Sequence, residues 1–243
     1  MLALLKKEIS SFLNSLIGYV VIGVFLLLIG LFMWIFPGEM NVMDYGFATL
    51  ETLFFVTPWI FMFLIPAITM RSFAEEKRTG TLELLLTRPI SDMNIILAKY
   101  LAGLLLVIIA LLPTLISYIS VYLLGQPVGN LDSGGTWGSY LGLLFLGGSF
   151  VSIGVFASSI TGNQIISFLL GALICFFMYT GFASLGSFDL FGSLDSVIIG
   201  LGIADHYDGM SKGLIDTRDV AYFVFLIGFF LLLTRLVLQS RKW

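Results

Sequence analysis

Long runs of apolar residues separated by short polar stretches dominate the chain. Six such runs have these approximate bounds: 15–36, 53–70, 95–124, 141–160, 165–185 and 220–238. A bilayer core about 30 Å thick needs about 20 apolar residues in a helix. These runs are apolar on every side, whereas the strands of a membrane barrel alternate apolar and polar residues. The pattern therefore predicts an all-α polytopic membrane protein with six transmembrane helices.

Prolines mark the ends and bends of these runs. Pro37 closes the first run, and Pro58 and Pro66 interrupt the second. Pro113 lies within the third run, which is long enough to project beyond the bilayer. Because proline cannot donate a backbone hydrogen bond and its ring clashes with the preceding turn, we expect a kink there.

The first 14 residues predict a short amphipathic helix. Leu5 and Ile9 recur at helical spacing on one face, and Lys6 and Lys7 lie opposite. A basic helix with one apolar face lies in the membrane interface. A simple polar start to the first transmembrane helix is the alternative that the pattern leaves open.

Composition supports a single membrane domain over residues 1–243. Hydrophobic residues make up 58% of the chain and charged residues only 11%, with a mean hydropathy of +1.04. A soluble domain carries about 25% charged residues. The apolar runs follow one another with little between them, so no separate soluble module is expected.

The distribution of positive charge predicts the orientation. Ten of the twelve Lys and Arg residues fall beside the termini and the loops on one side: Lys6, Lys7, Arg71, Lys77, Arg78, Arg88, Lys99, Arg235, Arg241 and Lys242. The opposite side holds Lys212, Arg218 and ten carboxylates. Positive residues favour the cytoplasm. Both termini are therefore expected inside, which agrees with six spans.

Few ionisable residues fall within the apolar runs. Lys99 and Arg235 lie near the expected cytoplasmic ends, where long basic side chains extend to the interface, and Glu51 lies near an outer end. None falls near the midplane, where ion-coupled carriers place theirs. The pattern disfavours an ion-coupled secondary transporter, which remains an alternative.

The most informative polar stretch is residues 71–91, the only long loop on the expected cytoplasmic side. Four consecutive charges, Glu75–Arg78, lead to the helix-breaking Gly80. A short segment with an apolar face follows and ends at Pro89, and Ser91 can cap the third transmembrane helix. These features favour a short rigid helix at the membrane surface, able to take a push from a soluble partner, over a solvated loop.

At this point the chain resembles a known family. Residues 75–91, EEKRTGTLELLLTRPIS, resemble the signature of ABC-2 type transporter permeases, and residues 206–223, HYDGMSKGLIDTRDVAYF, are similar to what these permeases carry before their last span. The resemblance covers essentially the whole chain. It is strongest to the gliding-motility-associated permease subunit of Bacteroidetes, with the copper-site maturation permease branch as the nearest competitor.

The resemblance implies a coupling helix at about residues 72–90, on which a separate cytoplasmic ABC ATPase subunit docks. Its candidate residues are Glu75, Glu76, Lys77, Arg78, Gly80, Thr81 and Glu83. Charge reversal at Glu75 and Glu76 is then expected to uncouple ATP hydrolysis from function and leave insertion intact.

The resemblance also implies a re-entrant helical pair in the outer leaflet at about residues 186–219. The candidate residues of this outer gate are His206, Asp208, Asp216, Arg218 and Asp219. Two permease halves, this chain and either a second copy or a related auxiliary subunit, form the pore of such a transporter among the lipids of the bacterial inner membrane.

Motifs for chemistry are missing. The sequence has no G-x-x-x-x-G-K-[ST] loop to cradle ATP phosphates and no H-E-x-x-H. His206 with Asp205 and Asp208 is a weak set of metal ligands, and polar residues of an outer loop are the favoured reading. We expect no enzymatic activity, no catalytic or metal-binding residues, no cofactor and no nucleic-acid partner.

The function favoured by these observations is the permease subunit of an ATP-driven ABC-2 transporter, serving gliding motility. A membrane subunit that transmits force, or is purely structural, and transports no solute remains an alternative. The sequence identifies neither a substrate nor the second half of the pore.

Overall fold

The structure is a computed structural model that describes residues 1–86, 90–188, 192 and 195–240. Across these ranges the regular elements are helical and no strand occurs. Six helices are long and apolar enough to cross a membrane, so the predicted all-α polytopic class is confirmed. Several residues invoked above lie outside the described ranges: Arg88, Pro89, Arg241, Lys242, and parts of the expected coupling and outer segments at 87–89, 189–191, 193 and 194.

The helices of the first half follow in this order: α1 (Leu2–Leu13), α2 (Leu16–Gly30, extended by a π-helical turn at Leu31–Ile35), α3 (Val42–Tyr45), α4 (Glu51–Thr69), α5 (Arg71–Arg78), α6 (Thr81–Leu86) and α7 (Asp92–Leu111). Those of the second half are α8 (Leu115–Leu124), α9 (Ser133–Ile160), α10 (Gln164–Phe176, extended by a π-helical turn at Phe177–Gly181), α11 (Phe182–Gly186), α12 (Asp195–Ile199), α13 (Ile203–Ser211) and α14 (Thr217–Gln239). The candidate membrane spans are Gly18–Ile35, Glu51–Arg78, Asp92–Leu124, Ser133–Ile160, Gln164–Gly186 and Thr217–Gln239.

Helix α9 occupies the centre of the bundle, where it packs against α4, α7, α10 and α14. Its small residues allow close approach. A Cβ added at Gly147 would lie 2.7 Å from Val107 Cγ1, and one added at Gly154 would overlap Thr69 Oγ1. Lipid tails are as apolar as the interior of the bundle, so close packing of small residues replaces water exclusion as the reason for helices to associate.

Three prolines lie within the spans without ending them. Pro58 and Pro66 both lie inside α4. Pro113, where a kink is predicted, lies in a 3-10 turn, Leu112–Thr114, that separates the α-helical segments α7 and α8. The span itself continues from Asp92 to Leu124.

Side-chain caps set where two long helices begin. The Ser91 hydroxyl accepts a hydrogen bond from the Asn94 N–H at 3.3 Å, which confirms the predicted cap of α7. Helix α9 begins at Ser133, well before its apolar run, because Asp132 accepts a hydrogen bond from the Gly135 N–H at 2.9 Å. Such a cap satisfies a backbone donor that the helix start leaves unpaired.

The helix of the second span continues past its apolar run. Helices α4 and α5 are separated only by Met70, which gives one helical stretch from Glu51 to Arg78. Gly80 then adopts φ +70°, the left-handed region that favours glycine. The helix break predicted at Gly80 is confirmed, and the polar segment forms two helices, α5 and α6.

Short helices pack at both ends of the bundle. At the end that includes α5, the N-terminal helix α1 packs against α7. At the opposite end α13 packs against α9, α4 and α14, and α12 packs against α11. These two ends hold the candidate functional residues.

Candidate functional site

The turn between α5 and α6 presents only part of the residue set expected to contact an ATPase. Four of the seven residues are exposed on this turn: Arg78, Gly80, Thr81 and Glu83. The Thr79 hydroxyl donates to the Glu75 carbonyl at 2.9 Å, and the Thr79 and Thr81 hydroxyl oxygens lie 2.9 Å apart. These hydrogen bonds close the end of α5 and order the turn that carries the exposed residues.

Lys77 turns toward the bundle. Its ammonium group donates a hydrogen bond to the backbone carbonyl of Ser159, in the last turn of α9. A cation at a helix C-terminus satisfies a carbonyl that the helix leaves unpaired and interacts favourably with the helix dipole. Lys77 therefore ties α5 to the central helix.

Glu76 belongs to a ring of alternating charges that joins α1, α5 and α7. Glu76 Oε1 lies 3.0 Å from Lys99 Nζ and 3.4 Å from Lys7 Nζ. Glu8 Oε1 lies 3.1 Å from Lys99 Nζ and 3.5 Å from Lys7 Nζ. Each ammonium group thus contacts both carboxylates. We refer to Lys7, Glu8, Glu76 and Lys99 as the charge ring.

The two lysines of the charge ring differ in burial. The Lys99 side chain is 1% exposed, whereas that of Lys7 is 61% exposed. Lys99 Nζ also donates to the Ser72 carbonyl at 2.6 Å and lies 5.0 Å from the centroid of the Phe73 ring. Two carboxylates and a carbonyl match its three N–H groups. The expected extension of Lys99 to the interface is therefore wrong: its ammonium group ends at ion pairs inside the protein.

Neighbouring carboxylates dominate the electrostatics of Lys7. Partial burial by itself lowers the pKa of Lys7, but the Glu8 and Glu76 carboxylates outweigh this effect and raise the pKa above its ordinary value of 10.5. A raised lysine pKa stabilises the fold below the ordinary value, and this contribution is lost only as the pH rises through the raised pKa. Lys7 therefore keeps its positive charge throughout the neutral pH range.

A polar pocket of about 280 Å³ lies beside the charge ring, between α1 and α5. Arg71 and Glu75 line it together with the ring. Two buried atoms here, Arg71 Nε and Glu76 Oε2, have no hydrogen-bond partner in the described chain. An unsatisfied buried group costs about 1–3 kcal/mol, and a polar pocket of this size has room for the waters that would satisfy both atoms.

Sequence reasoning missed Glu8. The predicted amphipathic helix is present as α1, but its buried positions are Leu4 and Glu8, while Leu5 and Ile9 are only half-buried. The available signal was the spacing of Leu4 and Glu8, four residues apart, in a helix otherwise rich in lysine. This spacing places Glu8 on the buried face of α1, but nothing in the sequence connects it with Lys99, which is 91 residues away.

At the opposite end, His206 is held at both ring nitrogens. Nδ1 lies 2.7 Å from Asp219 Oδ1, and Nε2 lies 2.9 Å from the Gly200 carbonyl oxygen. The ring stacks on Tyr222 with centroids 3.9 Å apart. Both contacted oxygens are acceptors, so the doubly protonated ring satisfies both, whereas a neutral tautomer satisfies one. We refer to His206, Asp219, Gly200 and Tyr222 as the histidine cluster.

The other expected outer residues lie outside this cluster. Asp208 forms an exposed ion pair with Lys212 at 2.7 Å. Asp216 caps α14 by accepting a hydrogen bond from the Arg218 N–H at 2.9 Å, and this bond lowers the pKa of the Asp216 carboxyl. Of the five expected residues, the structure brings together two: His206 and Asp219.

The metal-site alternative has no geometric support. His206 contacts Asp219 and the Gly200 carbonyl, and neither Asp205 nor Asp208 is among its hydrogen-bond partners. Over the ranges that the structure describes, no three His, Cys, Asp or Glu residues are grouped to hold a metal ion. The arrangement at His206 is that of a polar contact between helices.

Helix α13 is fastened closely to the bundle. The Tyr207 hydroxyl donates to the Phe54 carbonyl of α4 at 2.8 Å. Just after α13, Gly213 adopts φ +81°, and a Cβ added there would overlap the backbone of Gly135 in α9. The outer segment therefore meets the central helix through glycine backbones.

An apolar groove of about 580 Å³ runs along the exposed face of α2 and α4, on the side of the bundle. Helix α4 contributes Phe55, Trp59 and Phe63 at four-residue spacing, with exposed fractions of 60%, 42% and 57%. The groove shares Met40 and Phe55 with a more polar pocket of about 590 Å³ near α13. This face is uncovered in the single chain.

Comparison with known protein families gives a match. The sequence model of the family described as ABC-2 family transporter protein matches residues 2–188, which is more than half of the 243-residue chain. The matched residues include the charge ring, α5 and α6, and they end before α12 and α13. A search of curated proteins found no match.

Proposed function

The chain belongs to the ABC-2 family of transporter proteins, and from this premise we propose that it is the permease subunit of a transporter driven by a separate cytoplasmic ATPase chain. The observation that carries the proposal is the helical stretch from Glu51 to Arg78, which leads from a membrane span to an exposed turn. A force applied at this turn acts on the second span with only Met70 interrupting the helix.

The docking surface in this proposal is the turn itself. Arg78 and Glu83 are exposed there with opposite charges, on either side of Gly80 and Thr81. Closure of an ATPase pair would push on this turn and tilt α4 through α5. Glu76 and Lys77 have a different task, because their side chains hold α5 against neighbouring helices.

We place the α5 end of the bundle in the cytoplasm of a bacterial cell and the histidine cluster on the outer side of the inner membrane. The α5 end holds more basic residues, namely Lys6, Lys7, Arg71, Lys77 and Arg78, whereas the basic residues described near α13 are Lys212 and Arg218. This asymmetry of positive charge supports both termini inside. In this orientation α12 and α13 are the helical pair of the outer leaflet.

A second permease half covers the apolar face of α2 and α4 in this proposal. The core of the single chain is filled by fully buried side chains such as Phe25, Phe61 and Phe150. A path for a solute is therefore better accommodated along the groove of about 580 Å³ than through this core. The second half is another copy or a related auxiliary subunit, and lipids cover the remaining surface.

Gliding motility is the process that we propose for this transporter. The proposal rests on the resemblance of the chain to the gliding-associated branch, within a family whose features resemble residues 75–91 and 206–223. The family match ends at residue 188, so the second of these stretches lies outside it. Loss of gliding on deletion of the chain, restored by the intact chain, is the expected genetic result.

The biochemical test is affinity purification in mild detergent with an ATPase assay. We expect a P-loop ATPase to co-purify in stoichiometric amount, and we expect Arg78→Glu with Glu83→Lys to lose it while the chain still inserts. Glu39→Lys is the matched control, because it reverses an exposed carboxylate at the other end of the bundle. A chain that purifies alone, or an ATPase retained by the double variant, contradicts the proposal.

Glu76 is unsuitable for this test. Its side chain is 13% exposed and paired with Lys99, so reversal to lysine would place two ammonium groups together inside the protein. The expectation that charge reversal at Glu75 and Glu76 leaves insertion intact is therefore withdrawn for Glu76. Glu75 is half-buried and lines the polar pocket, which makes Arg78 and Glu83 the sharper choices.

A further inference from the structure

We propose that Glu8 and Lys99 are positioning residues for coupling, and that the charge ring makes α1, α5 and α7 one rigid unit that carries a displacement of α5 to the third span. The inference rests on the proposed function for the origin of that displacement. The rigidity of the unit is a property of this chain and is measured without a partner.

Lys99 contacts α5 at two points one helical turn apart. Its ammonium group donates to the Ser72 carbonyl at 2.6 Å and pairs with Glu76 Oε1 at 3.0 Å. Rotation of α5 about its own axis breaks the second contact, and sliding of α5 along α7 breaks both. Two contacts to one buried group therefore restrain α5 in both directions.

Glu8 extends the restraint to the N-terminal helix. Its carboxylate pairs with Lys99 at 3.1 Å across 91 residues of sequence, and α1 packs along α7. The covalent path from α5 to α7 passes through the break at Gly80, through α6 and through residues 87–89. The ring is the direct connection, because it bypasses that path altogether.

Burial makes the contacts of Lys99, the buried lysine of the charge ring, resistant to displacement. Moving α5 away from Lys99 would leave an ammonium group that is only 1% exposed without its Glu76 and Ser72 partners, and this is strongly unfavourable. Displacing the three helices together keeps every contact. A push on α5 is therefore carried to α7 and α1 as a concerted movement.

Lys7, the exposed lysine of the charge ring, provides a matched control. Lys7 contacts the same two carboxylates as Lys99, but its side chain is 61% exposed. Water replaces its ion pairs at little cost. If buried charge positions the helices, substitution of Lys99 should loosen the packing of α1 strongly and substitution of Lys7 only weakly. The two residues are of the same type and contact the same carboxylates, so burial is the main difference between them.

The first experiment measures hydrogen exchange of the α1 amides in the purified chain in lipid nanodiscs. Lys99→Met is expected to speed this exchange at least about tenfold, since α1 loses its buried anchor. Lys7→Met is expected to change it less than about twofold. Equal exchange rates of the α1 amides in the two variants would contradict the proposal that the charge ring makes α1, α5 and α7 a rigid unit.

The second experiment separates transmission from folding. The triple variant Glu8→Leu/Glu76→Met/Lys99→Met replaces the buried side of the charge ring with apolar side chains of similar size, and such replacements of a buried ion pair are often neutral for stability. In the purified complex, trapping the ATPase with ATP and vanadate is expected to change exchange in α5, α7 and α1 of the native chain. In the triple variant we expect the change to persist in α4, α5 and α6, which form one stretch of chain, and to be lost from α7 and α1.

A response of α7 that persists in the triple variant overturns the positioning role, even if the variant is less stable. If no ATPase co-purifies, the proposed function has failed, and the exchange comparison of the two lysine variants still decides whether the unit is rigid. The two ideas therefore fail separately.

Discussion

The charge ring and the histidine cluster hold short helices against the two ends of the same bundle with different chemistry. The ring uses four charged side chains from three helices, and Glu8 and Lys99 lie 91 residues apart. The histidine cluster joins the His206 imidazole to partners that are 6 to 16 residues away in the sequence. One end depends on distant partners and the other on nearly local ones.

Burial separates the two ends further. The Lys99 side chain is 1% exposed, and the side chains of His206 and Asp219 are each 18% exposed. An ammonium group without water needs every partner, because its charge has no other compensation. Water reaches the partly exposed His206 and Asp219 side chains and can replace a lost hydrogen-bond partner. We therefore expect the α5 end to be the less tolerant of substitution.

The sharpest way to break this comparison is Lys99→Ala. Two carboxylates then remain together in a largely buried position, and we expect the free energy of unfolding to fall by about 3–5 kcal/mol. Lys7→Ala removes a lysine from the same carboxylates at an exposed position and is expected to cost less than about 1 kcal/mol. Denaturant titration in detergent measures both, and equal losses would mean that burial does not control the ring.

At the outer end the largest effect is expected at Gly213. A valine there must adopt φ +81° and place its Cβ into the backbone of Gly135. Overpacking of this kind costs about 1–3 kcal/mol. Gly46→Val is the control, because Gly46 has φ +76° with no neighbouring atom within 4 Å of an added Cβ. If thermal unfolding shows the two variants to be equally destabilised, the loss comes from the positive φ alone and the contact with Gly135 contributes nothing.

The smallest effect is expected at the histidine cluster. His206→Phe keeps an aromatic ring on Tyr222 and removes the hydrogen bonds to Asp219 and Gly200, which are partly exposed, so we expect the free energy of unfolding to fall by about 0.5–1.5 kcal/mol. Lys212→Ala removes an exposed ion pair to Asp208 from the same helix and is expected to cost less than about 0.5 kcal/mol. Limited proteolysis of α13 and thermal unfolding compare them. A loss at His206 as large as that at Lys99 would remove the distinction between the two ends.

Local signals predicted much of the fold. The apolar runs predicted the six spans, Ser91 predicted the cap of α7, and Gly80 predicted the break after α5. Pro113 marked the position of the 3-10 turn in the third span. Each of these features depends on residues that are close in sequence. The start of α9 at Ser133 was missed, since polar and glycine residues fill its first turn. There a cap, rather than hydrophobicity, decides where the helix begins.

The candidate sites were predicted less completely. Motif resemblance placed Glu76 and Lys77 with Arg78 and Glu83 in one coupling surface, but the first two turn inward toward Lys99 and Ser159. Successive side chains on an α-helix point about 100° apart, so the residues of one continuous motif divide between the surface and the interior. Which side faces inward depends on the helices packed against it.

The sequence by itself determined the class of this protein: apolar runs of membrane length allow only helices, and their positive ends indicate an orientation. Tertiary structure alone decided the pairing of Glu8, Glu76 and Lys99. The physical reason is range. Helix formation and burial in lipid act over one segment, whereas a buried ammonium group is stable only where separate segments bring carboxylates within about 3 Å of it.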